Sequence, residues 1–331
     1  MFDQPPQSLM GRNILITGGL GFIGSTLARR LVEIGTRVTL IDSLIPEYGG
    51  NLFNISGIED KVRVNISDVR DVHSMRYLVQ DHDILFNLAG QTSHMDSMQD
   101  PFADLEINAR AQLAILETCR KYNPEIKIVF ASTRQIYGKP DILPVNEKHL
   151  LRPVDVNGIN KMAGEWYHIL YNNVYGLRAC ALRLTNTYGP RMRVKDARQT
   201  FLGIWVRLLV EGRPFEVWGG EQLRDFTYVD DAVDALMRAA ASDKANGKVY
   251  NLGGDRAITL RDLADLLVVA NRGGQYTICQ FPVDRKNIDI GDYYADDRLI
   301  RQELGWQLQV SLSDGLARTM QFYRQNLEHY L

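Results

Sequence analysis

The sequence predicts an α/β protein built on a doubly wound parallel sheet, with a smaller α/β region towards its C-terminus. Three observations carry that prediction. Short β-rich runs alternate with longer amphipathic stretches along the first half of the chain, as successive βαβ units do. The first run passes directly into the stretch Gly18-Gly19-Leu20-Gly21-Phe22-Ile23-Gly24. A carboxylate, Asp42, closes the next run about 20 residues further on.

In chain order, the strand-like runs are NILITG from Asn13, RVTLID from Arg37, KVRVNISD from Lys61, DILFNLAG from Asp83 and KIVFAST from Lys127. Helical periodicity occupies Phe22 to Gly35 and one long stretch from Ala103 to Tyr122. After about Leu184 the rhythm loosens through NTYGPRMRVKDAR. It resumes as a helix from Gln199, a strand FEVWGG, a helix from Asp230 and a strand KVYNLGG. No Pro/Ser-rich linker, low-complexity tract or internal repeat interrupts the chain. The expected division is a first domain over 1–184, with contributions from about 225–255, and a second region over 185–331, with a cleft between them.

Composition bounds the function. A chain of 331 residues, 45% hydrophobic and 24% charged, is ordinary globular material. Its net charge of -2 gives no basic field for nucleic acid. Cys119, Cys180 and Cys279 lack the number and spacing of a disulfide framework or a zinc site, so no metal is expected. The opening MFDQPPQSLMGRN has no basic head with an apolar core, and no apolar run is long enough for a membrane span. A cytoplasmic protein is expected, with no nucleic-acid or membrane partner.

Gly18, Gly21 and Gly24 follow an apolar strand and open an amphipathic helix, the context that makes such spacing chemical. Glycine permits the tight turn and lets backbone approach a pyrophosphate, whose charge then lies at the helix N-terminus. Asp42 stands where a carboxylate accepts hydrogen bonds from an adenosine ribose and repels a 2′-phosphate, which favours NAD over NADP. The plainer reading of Asp42 is a turn cap.

The glycine motif, Asp42, ISDVRD, NLAG, STRQIYG, Lys161 with its helix, RLTNTYGPR, RDFTYVDDAVDAL and QELGW resemble, in that order, the extended short-chain dehydrogenase/reductases. These are NAD-dependent sugar-nucleotide epimerases, dehydratases and decarboxylases. The resemblance implies a Rossmann domain that keeps NAD through the cycle and a C-terminal domain that holds a nucleotide-diphosphate sugar. Phe22, Ile23 and Ser43 would complete the cofactor surround, Asp68 and Val69 would meet the adenine, and Leu88, Ala89, Gly90 and Leu184 would line the pyrophosphate and nicotinamide side. Asn186, Gln199, Arg224 and Arg285 would bind the substrate. Arg224 could instead be an ion-pair partner of Asp225, and Trp218 is expected to pack rather than stack.

In that family a sugar hydroxyl gives its proton to a tyrosinate and its hydride to NAD, and the resulting ketone permits epimerisation, elimination or decarboxylation. A tyrosine of pKa ~10 needs roughly three units of depression to act near neutrality, about 4 kcal/mol. The Tyr-x-x-x-Lys spacing that supplies it reads here Asn157-Gly158-Ile159-Asn160-Lys161. Loss of a general base typically costs roughly 10²- to 10⁴-fold. Asn157 therefore positions a water or hydroxyl for another base, marks a silent binding protein, or is a deliberate trapping substitution. His94 and Lys161 are the substitute bases, with a surface position beside Asp96 the plainer reading of His94. Tyr167, further along the helix, is expected to pack.

Thr133 matches the family's sugar-binding hydroxyl. The 4,6-dehydratases follow it with an Asp-Glu pair, and this chain has Arg134 and Gln135, so dehydration is disfavoured. Uronate decarboxylases carry glutamate at the Gln135 position, which places decarboxylation second to epimerisation of a hexose or uronate. Arg134 could bind a carboxylate and stabilise it against leaving, or serve a salt bridge or pyrophosphate contact. The helix after Thr92 and the helix of Lys161 have apolar surface to spare, and a homodimer is expected.

Overall fold

The computed structural model describes residues 6–282 and 288–331. Its strands are β1 (Asn13–Thr17), β2 (Arg37–Asp42), β3 (Val62–Ile66), β4 (Ile84–Asn87), β5 (Lys127–Thr133), β6 (Ala179–Leu184), β7 (Asn186–Tyr188), β8 (Phe215–Trp218), β9 (Leu223–Arg224), β10 (Phe226–Tyr228), β11 (Val249–Asn251), β12 (Ile258–Thr259) and β13 (Tyr276–Cys279). The helices used below are α1 (Phe22–Glu33), α2 (Val72–Leu78), α3 (His94–Gln99), α4 (Pro101–Leu105), α5 (Ala111–Tyr122), α6 (Val156–Tyr175), α7 (Phe201–Val210), α8 (Val229–Ala241) and α9 (Leu260–Asn271), followed by α10 (Arg298–Leu304) and α11 (Leu312–Asn326).

Seven parallel strands form the main sheet in the order β11-β6-β5-β4-β1-β2-β3. Chain direction across the sheet reverses between β1 and β4, the switch point at which open α/β sheets bind ligands. Side chains alternate between two cores, as the strand period of two requires. Ile14 and Ile16 join Leu27, Leu31 and Leu236 from α1 and α8. Leu15 points the other way, onto Met75, Ile115, Leu116 and Tyr171 from α2, α5 and α6. A third core, with Trp205, Phe215, Leu263 and Leu316, holds α7, α9 and α11 around β8.

The long helix expected from Ala103 to Tyr122 is interrupted. Between α4 and α5 the chain makes one π-type turn, Glu106–Arg110, in which Gln112 Nε2 donates to the Ile107 carbonyl at 3.0 Å. Asn108 Nδ2 there donates to Asp104 Oδ2 at 3.0 Å and to the Gln91 carbonyl at 2.9 Å. Such turns locally widen a helix and often mark functional sites. Side-chain competition of this kind does not disturb the hydrophobic period, so periodicity reads straight through it.

Helix α6 starts at Asp155, whose Oδ1 accepts the Gly158 N–H at 2.6 Å, and stops at Gly176, which adopts φ 71°. A buried ion pair fixes it to the sheet. Glu165 accepts from Arg183 Nη2 at 2.6 Å and Nε at 2.9 Å, and from Ser132 Oγ at 2.6 Å. Arg183 Nη1 donates to Tyr137 Oη at 2.6 Å, and that hydroxyl donates to Asn251 Oδ1 at 2.7 Å. The chain of contacts ties α6 to β5, β6 and β11. Glu165→Gln would leave a buried guanidinium without its counter-charge, and a loss of about 3–5 kcal/mol is expected, read as a lowered urea midpoint at unchanged slope.

Candidate active site

A cavity of about 1080 Å³ opens where β1, β4 and β5 end. It exceeds what one small ligand needs. Two loops meet at its floor: a Cβ on Gly18, which has φ 67°, would lie 3.1 Å from Ala89 N. Thr17 ties those loops together, its Oγ1 accepting the Leu88 and Ala89 N–H groups at 3.1 and 3.2 Å and donating to Asn87 Oδ1 at 2.9 Å.

The glycine turn is as close as the spacing implied. A Cβ on Gly24 would stand 2.2 Å from the Gly18 carbonyl oxygen, so no side chain fits there. Gly21 N-caps α1 without a side-chain hydrogen bond, and the first turn carries no acidic residue, so a positive helix end faces the cavity. Asp42 Oδ2 accepts the Leu20 N–H at 3.0 Å and Oδ1 the Leu44 N–H at 2.9 Å. Both turn-capping and ribose-binding readings therefore fit, because each oxygen keeps a second lone pair. Burial raises the Asp42 pKa, with the two backbone donors opposing. Ser43, Asp68 and Val69 continue the wall; Arg70 pairs with Asp68 at 2.6 Å and holds its carboxyl below the usual range. A Cβ-free cradle, an uncapped helix end and an anchored carboxylate fit a dinucleotide. Phe22, Ile23, Leu88, Ala89, Gly90 and Leu184 also line this side.

Opposite the cradle stand Thr133, Asn157 and Lys161. Thr133 Oγ1 accepts the Gln135 N–H at 3.2 Å, capping the short turn Arg134–Tyr137 and keeping its hydroxyl proton to donate. Lys161 Nζ donates to the Ala131 carbonyl at 3.3 Å and lies 5.1 Å from the Phe130 ring centroid. Burial pushes its pKa down to about 8 while Asp104 acts upward. Asn157 Nδ2 is saturated: it donates to Gln91 O at 2.8 Å, Gln91 Oε1 at 3.2 Å and Asp104 Oδ2 at 2.9 Å. Those acceptors fix the amide orientation. Asp104 also receives Asn160 Nδ2 at 2.8 Å, so three asparagine amides converge on one buried carboxylate.

His94 meets Asp155, while the neighbouring Asp96 pairs with Arg198 at 2.8 Å. His94 opens α3, and Nδ1 lies 2.9 Å from Asp155 Oδ2, slightly off the line of a good hydrogen bond. Burial alone would raise the Asp155 pKa. His94, the Gly158 N–H and the Gln135 amide reverse this and hold it below the usual range. Gln135 Nε2 donates to Asp155 Oδ2 at 3.0 Å. Thr133, Gln135 and His94 line the cavity, and the buried Asp155 behind them joins Gln135 to His94.

Arg224 has Asp289 as its ion partner, at 3.0 Å, rather than Asp225, and it donates to the Leu223 and Gly291 carbonyls. Asn186 accepts from Arg134 at 2.9 Å and donates to the Asp225 carbonyl at 2.9 Å. Gln199 precedes α7, whose N-cap is Thr200, and its Oε1 accepts the Arg193 N–H at 2.8 Å. All three line the cavity, as does Trp218, whose ring meets Phe281 edge-on at 6.4 Å. Tyr167 packs beside the core of α5 and α6. Arg285 lies outside the described residues. Asp155 and Asp104 were missed from the sequence; an aspartate directly before a helix is a legible cap, but its second partner is not local. Among the described residues no group of His, Cys, Asp or Glu could hold a metal ion, and no helix is long and apolar enough to cross a membrane.

The profile of the NAD dependent epimerase/dehydratase family matches residues 14–253. A UDP-glucose 4-epimerase of Mycolicibacterium smegmatis is 31% identical over 312 residues, covering 94% of this chain and 98% of that protein. UDP-glucuronic acid decarboxylase 1 of Xenopus tropicalis is 28% identical over 325 residues, covering 96% of this chain and 73% of that protein. The UDP-glucose 4-epimerase of Thermotoga maritima, solved with UDP-glucose, superposes with a TM-score of 0.86 at 30% identity, over 95% of this chain and 99% of that one.

Gly24→Ala should weaken NAD binding roughly tenfold or more, because the methyl must push the Gly18 carbonyl out of the cradle. Calorimetric titration with NAD, beside a circular dichroism check of folding, measures it; unchanged affinity would place the cofactor elsewhere.

Proposed function

This chain belongs to the NAD-dependent epimerase/dehydratase family, and from that premise we propose that it is an epimerase acting on a UDP-linked hexose or uronate through a transient keto-sugar. The observation that carries the reading is the single cavity lined by the glycine cradle, Asp42, Lys161, Thr133 and His94, with Asp155 buried behind His94. Residues 1–184 then form the cofactor half, with β11 and α8 added from about 225–255, and 185–331 the substrate half.

Gly18, Gly21, Phe22, Ile23 and Gly24 would hold the pyrophosphate of NAD. Asp42 and Ser43 would hold its ribose, Asp68 and Val69 its adenine, and Leu88 to Gly90, Lys161 and Leu184 its nicotinamide half. NAD, when bound, supplies a hydride acceptor that returns the hydride to the ketone. The chain must take the hydroxyl proton. Asn157 cannot, since an amide does not ionise in this range; its role is to position. His94 can: with Nδ1 turned to Asp155, Nε2 remains as the acceptor, the same division of labour as in an Asp-oriented histidine base. Lys161, at about 8, stays mostly protonated at neutral pH and suits a cation that holds ribose and steadies developing oxyanion charge. Thr133 donates to the same sugar oxygen.

Residues 134 and 135 argue against the sister reactions. Elimination of a C6 hydroxyl needs an acid and a base after Thr133, and Gln135 is a neutral amide committed to Asp155. Decarboxylation is the less favoured alternative for the same reason. The substrate would be held by Asn186, Gln199, Arg224 and Arg285. The apolar stripe Ile159, Trp166, Leu170 and Val174 on α6, each at least half exposed, would pair with its copy in a homodimer. A cytoplasmic setting accords with three free thiols.

Incubation of the NAD-loaded protein with UDP-glucose and UDP-glucuronate should give a new sugar spectrum by proton NMR at unchanged mass; loss of carbon dioxide would replace epimerase by decarboxylase. His94→Gln should lower kcat roughly 10²- to 10⁴-fold with nucleotide binding retained, whereas unchanged kcat would move the proton to Lys161. Trp166→Glu should convert a dimer to a monomer by light scattering.

A further inference from the structure

The cavity wall carries a cation that has no partner of opposite charge among the described residues. Arg134 donates through Nη2 to Asn186 Oδ1 at 2.9 Å, and its Cζ stands 5.3 Å from the Tyr293 ring centroid. Its Nη1 is sealed from solvent and meets no hydrogen-bond partner. No carboxylate reaches ion-pair distance of it among the described residues. Asp225, whose charge acts on it from beyond contact, accepts instead from Thr185 Oγ1 and the Ala295 N–H. Asn186 takes one hydrogen bond from Nη2 at its oxygen and gives one to the Asp225 carbonyl from its nitrogen, and brings no charge to the guanidinium. Burial, and after it the second guanidinium Arg224, push the Arg134 pKa down to about 10, which leaves it charged near neutrality.

A part-buried, charged guanidinium with one nitrogen unpartnered is favoured when a ligand completes it. Any acceptor would satisfy the N–H, but an anion also answers the charge, and the planar fork of arginine matches a carboxylate. Chain position says which anion. Arg134 follows Thr133 directly, in the turn that Thr133 caps, and precedes Gln135, which is bound to the His94–Asp155 pair. It therefore stands beside the reacting end of the sugar. Arg224, by contrast, is already compensated by Asp289. We infer that Arg134 forms a carboxylate subsite, so that the substrate is a nucleotide-diphosphate uronate rather than a neutral hexose. This rests on the nucleotide-sugar reading of the cavity.

The test is calorimetric binding of UDP, UDP-glucose and UDP-glucuronate to the NAD-loaded protein, wild type and Arg134→Gln, and needs no turnover. The wild type should bind UDP-glucuronate about tenfold or more tighter than UDP-glucose, and Arg134→Gln should bring the two within about twofold. Arg134→Lys, which keeps the charge without the fork, should retain only part of the preference. Equal wild-type affinities would overturn the subsite while leaving the nucleotide-sugar reading intact. So would an Arg134→Gln variant that weakens all three ligands alike, since the guanidinium would then serve the diphosphate common to them. If none of the three binds, the nucleotide-sugar reading itself falls, and the subsite with it.

Discussion

The seating of α6 on the sheet is the constraint from which the site follows, and the buried Glu165–Arg183 pair is its anchor. Desolvating two charges is expensive, and the gain is geometric fixity rather than net stability. One helix face then does four jobs at successive turns. Asn157 meets Asp104 and Lys161 meets the Ala131 carbonyl. Glu165 meets Arg183 and Ser132, and His168 meets the Gly164 carbonyl and Asn87. Since Ser132 is next to Thr133, the ion pair sets the distance between the helix that carries Lys161 and the strand that ends at the Thr133 hydroxyl.

The same helix explains how an asparagine came to occupy the first of those turns without leaving a hole. Asp104 is buried and is served by three amides from Asn108, Asn157 and Asn160. Three acceptors surround Asn157 Nδ2, a demand that a phenol with a single O–H donor cannot meet. Asn157 is thus integrated with Asp104, Asn160 and the wide turn before α5, and the His94–Asp155 pair proposed as the base stands at the start of the same helix. The silent-binder reading is disfavoured by the chain's membership of an enzyme family rather than by any one residue.

What was legible in the sequence is what local chemistry determines. The strand rhythm, the glycine turn and Asp42 are readable because turn geometry and strand termination are encoded within a few residues. Lys161 and Thr133 were readable through motifs. The pairings His94 with Asp155 and Arg224 with Asp289 were not, because their neighbours in sequence, Asp96 and Asp225, offered plausible partners and only the fold decides between them. The π-type turn escaped for a different reason: it arises from Gln112 and Asn108 side chains capturing backbone and Asp104 oxygens, while the apolar period on either side continues undisturbed.

The cavity keeps two cations in states that burial disfavours. Lys161 is pushed down to about 8 and Arg134 to about 10, and among the described residues neither has a carboxylate in contact. Sequence economy would pair them, as Arg183 is paired with Glu165. Leaving them uncompensated costs stability in the ligand-free protein, and the cost is recovered only when negative charge arrives. In the proposed reaction that charge would develop, for Lys161, on the reacting oxygen, where a pre-placed cation favours the transition state over the ground state. For Arg134 it would already be on the substrate. On that reading one cation serves rate and the other selection, and substrate binding should stabilise the fold by more than apolar burial alone would supply.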